Sequence, residues 1–169
     1  MEIKNKTKIL FLHGLESKPG GTKVTRLTKL GCNVLNPLLP ANDFKKSIEI
    51  AQKIVDLENP DFIVGSSRGG AVAMSLNIQD PKVKMVLIAP AWNKRKQLGI
   101  PDVVQYTIPD STTILHSRLD DVVKYQDSLY LESNNPQKVR LIECGKCHRM
   151  SDEHALNKLF DAVNLTHYL

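Results

Sequence analysis

Two short stretches of this 169-residue chain have residue types and spacings that could do chemistry. One is Cys144-Gly145-Lys146-Cys147-His148, a C-x-x-C-H string. Read alone, it suggests covalent c-type haem attachment or the start of a zinc site. The other is Gly65-Ser66-Ser67-Arg68-Gly69, a G-x-S-x-G string. Between a strand and a helix, such a string puts the serine on a sharp turn that exposes its Oγ, and the glycines let the two backbones approach. A serine hydroxyl is a weak nucleophile until a base takes its proton and a carboxylate orients that base. His148 can be the base, and Asp120 or its neighbour Asp121 the acid. The chain order serine, acid, histidine is the one expected for a nucleophile carried on a doubly wound sheet.

The metal and haem readings of the C-x-x-C-H string are the weaker ones. Zinc would need a second spaced pair of ligands, which the chain does not offer. Haem attachment requires export, and residues 1–8 lead into an apolar run of only four, Ile9 to Leu12, too short for a signal peptide. A cytoplasmic location, no metal and no cofactor are therefore expected. Three cysteines, an odd number, read as free thiols in a reducing compartment rather than a disulfide framework. Of the two acids Asp120 is favoured, because it comes first in its loop, while Asp121 reads as the cap of a helix starting near Val122. The developing oxyanion needs two backbone N–H donors. These are expected from Arg68, which follows the serine, and from Leu15 in the loop after the first strand. Gly14 would allow the turn that aims the Leu15 amide, and His13 would brace that loop against the substrate.

The elements that must position these residues alternate between β-rich runs and helical patterns, which predicts an α/β fold with a mainly parallel sheet of about six strands. The strands are 8–13, 33–36, 61–65, 84–89, 112–116 and 138–143. Helices are expected over 19–30, stopped by Gly31, over 43–57 with Asn42 or Asp43 as cap, and over 68–78. Two more are expected over 122–131 and from a Ser151 cap to about 165. With no repeat, low-complexity segment or linker, the chain reads as a single domain over 1–169, a three-layer α/β/α sandwich. In such sheets sites lie beyond the carboxyl ends of the strands, and Ser67, Asp120 and His148 all fall there.

Composition excludes other classes. The content is 41% apolar and 24% charged, with no apolar run long enough to span a membrane. The net charge of +5 would suit nucleic acid, but the lysines are scattered, aromatics are only 5%, and no binding-module motif is present. No nucleic-acid or membrane partner is expected.

Leu12-His13-Gly14-Leu15-Glu16-Ser17, Gly65-Ser66-Ser67-Arg68-Gly69-Gly70, His116-Ser117-Arg118-Leu119-Asp120-Asp121-Val122-Val123 and Gly145-Lys146-Cys147-His148-Arg149-Met150 together resemble the α/β-hydrolase superfamily, and within it the small, cap-less YqiA-like esterases. The resemblance implies Ser67 as nucleophile, Asp120 as acid, His148 as base, and Leu15 and Arg68 as oxyanion donors. The chain departs from the family pattern at Ser117, where glycine is commoner, and at Lys124, where proline is. The arginine after the nucleophile is also unusual and would mark a preference for substrate charge. Only 20 residues, Ala91 to Asp110, separate the fourth and fifth strands, too few for a cap. Trp92, with Leu98 and Ile100, would then form a small acyl wall in an open site. Lys18, Lys23, Arg68, Lys94, Arg95 and Lys96 are expected on the same edge. They would serve an anionic substrate such as an acyl-CoA thioester, or act simply as a solvated basic rim. The expected activity is hydrolysis of small esters or thioesters through an acyl-enzyme. The alternatives are a catalytically silent binding module on the same fold, and acyl transfer to an acceptor other than water.

Overall fold

The computed structural model describes residues 6–165. The reading of residues 1–5 as part of a leaderless N-terminus therefore lies outside the described residues. Six strands, β1 (Lys8–Leu12), β2 (Asn33–Leu35), β3 (Phe62–Ser66), β4 (Lys84–Ile88), β5 (Thr112–His116) and β6 (Val139–Glu143), form one sheet in the order β2-β1-β3-β4-β5-β6. Every pairing is parallel. Between them run α1 (Thr22–Lys29), α2 (Phe44–Glu58), α3 (Arg68–Met74), the single turn α4 (Arg95–Leu98) and α5 (Tyr125–Asn134), and α6 (Glu153–Ala162) follows β6.

Alternation along the strands builds the layers. Leu10 and Leu12 of β1 join Ile63, Met85, Leu87 and Ile114 in one core with Phe44, Ala51 and Val55 of α2, Ala71–Met74 of α3 and Leu131 of α5. Ile9 and Phe11 point the other way, joining Val64, Val86, Ile88 and Leu115 in a second core with Leu27 of α1 and Leu156, Leu159 and Phe160 of α6. A parallel sheet buried on both faces reads as such continuous apolar runs. This is the three-layer α/β/α arrangement expected.

Register sets the carboxyl ends of the strands level. Leu12 lies opposite Gly65, Ser66 opposite Ile88, and His116 opposite Glu143. The strand order reverses between β1 and β3, so the loop after β1 and the turn after β3 meet at a topological switch point, where ligands bind in such sheets.

Several helix boundaries differ from expectation, each for a local reason. α1 begins at Thr22 and not Pro19, because Gly20 takes φ +86 and its amide donates to Asn36 Oδ1 at 2.8 Å. Its end is a Schellman motif at Gly31 (φ +91), in which Cys32 N bonds Leu27 O and Gly31 N bonds Thr28 O. Asp43 is the cap of α2, accepting from Lys46 N at 2.8 Å. α3 stops at Met74 instead of reaching Ile78, since Ser75 Oγ turns back onto Ala71 O while Thr107 takes the carbonyls of Met74 and Leu76. α6 is capped by Asp152, which accepts from Ala155 N at 3.2 Å, while Ser151 Oγ bonds Arg149 O instead.

Candidate active site

Ser67 sits between β3 and α3 at φ 52, ψ −117, a conformation that costs a non-glycine residue about 1–3 kcal/mol and persists only where neighbours enforce it. They do so here. Ser67 N donates to Ile88 O at 2.9 Å, and Ser67 O accepts from Gly70 N at 2.9 Å and Ala91 N at 3.0 Å. The turn is thus pinned to the end of β4. Glycine at 65 and 69 is a requirement of space. A Cβ at Gly69 would lie 2.6 Å from Leu12 C and 2.7 Å from His13 O, and one at Gly65 2.8 Å from Gly70 Cα.

His148 reaches Ser67 from the loop after β6. Its Nε2 lies 3.0 Å from Ser67 Oγ, and its Nδ1 2.7 Å from Asp120 Oδ2. Because the carboxylate can only accept, Nδ1 carries the proton and Nε2 presents its lone pair to the serine hydroxyl. The loop itself is tied on several sides. Ser117 Oγ donates to Gly145 O at 2.9 Å, Lys146 N to Asp152 Oδ2 at 3.0 Å, and Lys23 Nζ to Arg149 O at 2.5 Å. Ser117, where the family pattern favours glycine, therefore stitches the acid loop to the histidine loop. Burial lowers the Lys23 ammonium to a pKa of about 8, against the opposing pull of Cys147 and Asp152.

Asp120 also does the work expected of Asp121. Its Oδ1 accepts from Val122 N and Val123 N, both at 2.8 Å, closing a turn before the helix. α5 consequently starts at Tyr125, not Val122, with Lys124 at its N-cap, and Asp121 faces the cleft as an exposed residue. Burial opposes the charge on Asp120, but hydrogen bonds from His116, His148 and the two valine amides outweigh it. They hold the carboxyl well below the usual carboxylate range. His116, to which the sequence reading gave no role, donates from Nε2 to Asp120 Oδ2 at 3.0 Å.

Ser67 and His148 line an open cleft of about 780 Å³ together with His13, Gly14, Leu15, Val24, Leu98 and Val122. A Cβ at Gly14 would be 3.4 Å from Ser67 Cβ, which places the first loop directly against Ser67. Among the described residues, neither the Leu15 nor the Arg68 amide has a hydrogen-bond acceptor. His13 borders the cleft, yet both its nitrogens are engaged: Nδ1 meets Gly14 O at 2.8 Å, and Nε2 accepts from Leu39 N at 3.0 Å. It braces the loop and has no nitrogen left for a substrate.

Three expectations about side chains are corrected. Trp92 does not line the cleft; it stacks on Tyr130 at 5.8 Å and meets the Tyr106 ring edge-on at 6.2 Å, while Ile100 is buried in the core. The Arg68 side chain is 1% exposed. It turns under the sheet edge to Pro40 O (2.8 Å) and Ser47 Oγ (3.1 Å), 5.3 Å from the Phe44 ring, so it cannot read substrate charge. Arg95 likewise spends its guanidinium on Pro101 O and Val104 O. The cations that do line the cleft are Lys18, Lys23, Lys94 and Arg149, opposed by Glu16 and Asp121. The two cysteines of the C-x-x-C-H string part company. Cys144 is 3% exposed, with burial pushing its thiol up to about 11, whereas Cys147 is exposed at the cleft. Among the described residues no cluster of His, Cys, Asp and Glu is arranged to hold a metal ion.

Sheet order, elbow and level strand ends define the α/β-hydrolase fold, here without a cap: 91–110 contributes one helical turn. The chain belongs to the YqiA-like family UPF0227, described as an uncharacterised protein family, whose model matches residues 8–106. That match takes in the first loop and the elbow and ends before Asp120. None of the curated proteins matches. Among solved structures, a proposed hydrolase of the alpha/beta superfamily from Xanthomonas campestris pv. campestris is 19% identical at a TM-score of 0.71, over 96% of this chain and 98% of that one. Est1E from Butyrivibrio proteoclasticus is 16% identical at 0.68, over 94% and 85%. The esterase domain of a Rhodothermus marinus protein is 14% identical at 0.64, over 98% and 88%. At these identities the likeness is one of fold. Among the described residues no helix is long and apolar enough to cross a membrane.

Proposed function

We propose that the protein is a serine hydrolase of small carboxylic esters or thioesters. The observation that carries this reading is the unbroken hydrogen-bonded line from Ser67 Oγ through His148 to the buried Asp120, with Ser67 and His148 lining an open cleft. His148 Nε2 takes the hydroxyl proton as Ser67 Oγ attacks the acyl carbon, and Asp120 stabilises the imidazolium that forms. The Leu15 and Arg68 amides receive the oxyanion. On collapse the bond to the leaving oxygen or sulfur breaks, His148 returns the proton to that group, and an acyl-Ser67 remains. Water, deprotonated by the same histidine, then releases the acid. Fold neighbours that include an esterase domain, and Est1E with ferulic acid bound, favour ester substrates.

Labelling by a fluorophosphonate probe tests the assignment. The folded protein should label at one site, and Ser67→Ala should abolish it. No labelling would leave a binding module on a hydrolase fold, and labelling that survives Ser67→Ala would overturn Ser67 as the nucleophile.

Charge at the cleft makes a second, separate prediction. With Lys18, Lys23, Lys94 and Arg149 facing Glu16 and Asp121, positive charge dominates the walls. Turnover of an acyl-CoA should lose roughly 3- to 10-fold in kcat/KM between low and 0.5 M salt, because mobile ions screen the attraction. A neutral p-nitrophenyl ester should change little. Equal salt dependence for both would reduce the cations to a solvated rim.

A further inference from the structure

Asp120 is shared between two histidines, and only one of them faces the cleft. His116, the last residue of β5, is 0% exposed. Its Nε2 points at two acceptors, Asp120 Oδ2 at 3.0 Å and Val123 O at 3.2 Å, so that nitrogen carries the proton. Its Nδ1 lies 2.7 Å from Ser128 Oγ of α5, itself buried, whose hydroxyl can donate to it. The His116 ring is further held against Tyr125, centroids 5.5 Å apart.

Four N–H groups therefore converge on one carboxylate. His116 and His148 share Oδ2, and Val122 N and Val123 N share Oδ1. That number fills the lone-pair sites of an ionised carboxylate. The valine amides fix Oδ1 but leave the group free to pivot about it. The buried imidazole removes that freedom by fixing Oδ2, the oxygen that His148 uses. A network of this kind, fully satisfied in a low-dielectric interior, specifies one geometry.

We propose that His116 is a positioning residue for the acid, a rigid buried donor that keeps Asp120 Oδ2 aimed at His148 Nδ1 and so keeps His148 Nε2 on Ser67. The role rests on the hydrolase reading given above. It also gives a reason for Ser128, which orients the imidazole from the far side, and for the four-residue spacing of His116 and Asp120 along the chain.

The test is a cycle of variants measured on p-nitrophenyl acetate, with kcat and KM determined separately. His116→Leu should lower kcat by about 10- to 100-fold, the cost of misplacing a catalytic group by a fraction of its reach, and leave KM unchanged. His116→Gln, whose amide N–H can take the place of Nε2–H, should restore kcat to near the parent value. In an Asp120→Asn background, His116→Leu should cost no more than about twofold, since the acceptor it serves is altered. A merely structural histidine would cost the same in both backgrounds and would not be rescued by glutamine. Either of those results overturns the proposal. If His116→Leu does not fold, Ser128→Ala carries the test: a kcat loss present in the parent and absent in Asp120→Asn supports the proposal, and an unchanged kcat rejects it. A parent protein that neither turns over nor labels rejects the hydrolase reading itself. A parent that turns over while His116→Leu keeps its kcat rejects only the role of His116.

Discussion

His148→Ala is expected to reduce ester hydrolysis by about 10⁴- to 10⁶-fold in kcat, the scale of removing the base from a serine–histidine pair. Cys147→Ser in the same loop should leave the rate within a small factor. The contrast follows from where the side chains go. His148 Nε2 is 3.0 Å from Ser67 Oγ, with its other nitrogen locked on Asp120, so no neighbouring group can replace it. Cys147 is exposed and one position along, and none of the hydrogen bonds that hold Ser67 or Asp120 involves it. Cys144 needs a different substitution. It is 3% exposed in the core beside α6, and a serine there would bury a hydroxyl at a cost of about 1–3 kcal/mol unless it found a partner. Cys144→Ala, with Cys147→Ser, is the cleaner control, and full activity of that double variant would dispose of any catalytic, haem or zinc role for the thiols. Loss of activity in the folded double variant, or retention of activity by His148→Ala, would overturn the assignment.

The second large effect is on stability. Gly69→Ala should destabilise the fold by about 3 kcal/mol or more, at the top of the range for overpacking, because the added Cβ meets backbone and not a movable side chain. It would lie 2.6 Å from Leu12 C and closer still to Leu12 O, so β1 and α3 would have to separate. For a chain of this size the thermal midpoint should fall by roughly 6–12 °C. Gly21→Ala is the matched control: nothing lies within 4 Å of its Cβ position, and its φ of −66 suits any residue. The midpoint of each variant, read by circular dichroism, checks both statements. Equal midpoints would mean that the strand and helix do not approach as closely as the structure has them.

The parts of the fold legible in the sequence were those in which local pattern and burial agree. β5 was read at its observed bounds, and the Schellman stop at Gly31 was visible as a glycine after the last apolar position. That Ser67, His148 and Asp120 come together is legible because the elbow string and the chain order constrain each other. What the sequence could not convey were choices between adjacent residues of like chemistry, and the direction of side chains. Asp120 is favoured over Asp121 as the structure has it, but the turn-closing role expected of Asp121 falls to Asp120 too, and Ser151 against Asp152 as the cap of α6 is decided by one residue's rotation about the chain. Arg68 directly follows the elbow serine and so reads as part of the basic edge of the cleft, yet Phe44, Pro40 and Ser47 of a segment some twenty to thirty residues earlier enclose it. Trp92 suits an acyl wall as well as it suits an aromatic stack, and only the arrival of Tyr106 and Tyr130 decides between them. His116 had a faint signal, a histidine four residues before the acid, but its function depends on Ser128 approaching from α5.

The aromatic stack has an optical consequence. Trp92 is the single tryptophan of the chain, its indole lies against Tyr130 of α5, and the residue before it donates its amide to the carbonyl of Ser67. Emission excited at the red edge therefore comes from one fluorophore, covalently adjacent to the clasp that holds the Ser67 turn. The protein carries its own built-in reporter, and its spectrum should shift with any rearrangement of that clasp when a ligand enters the cleft or Ser67 is modified.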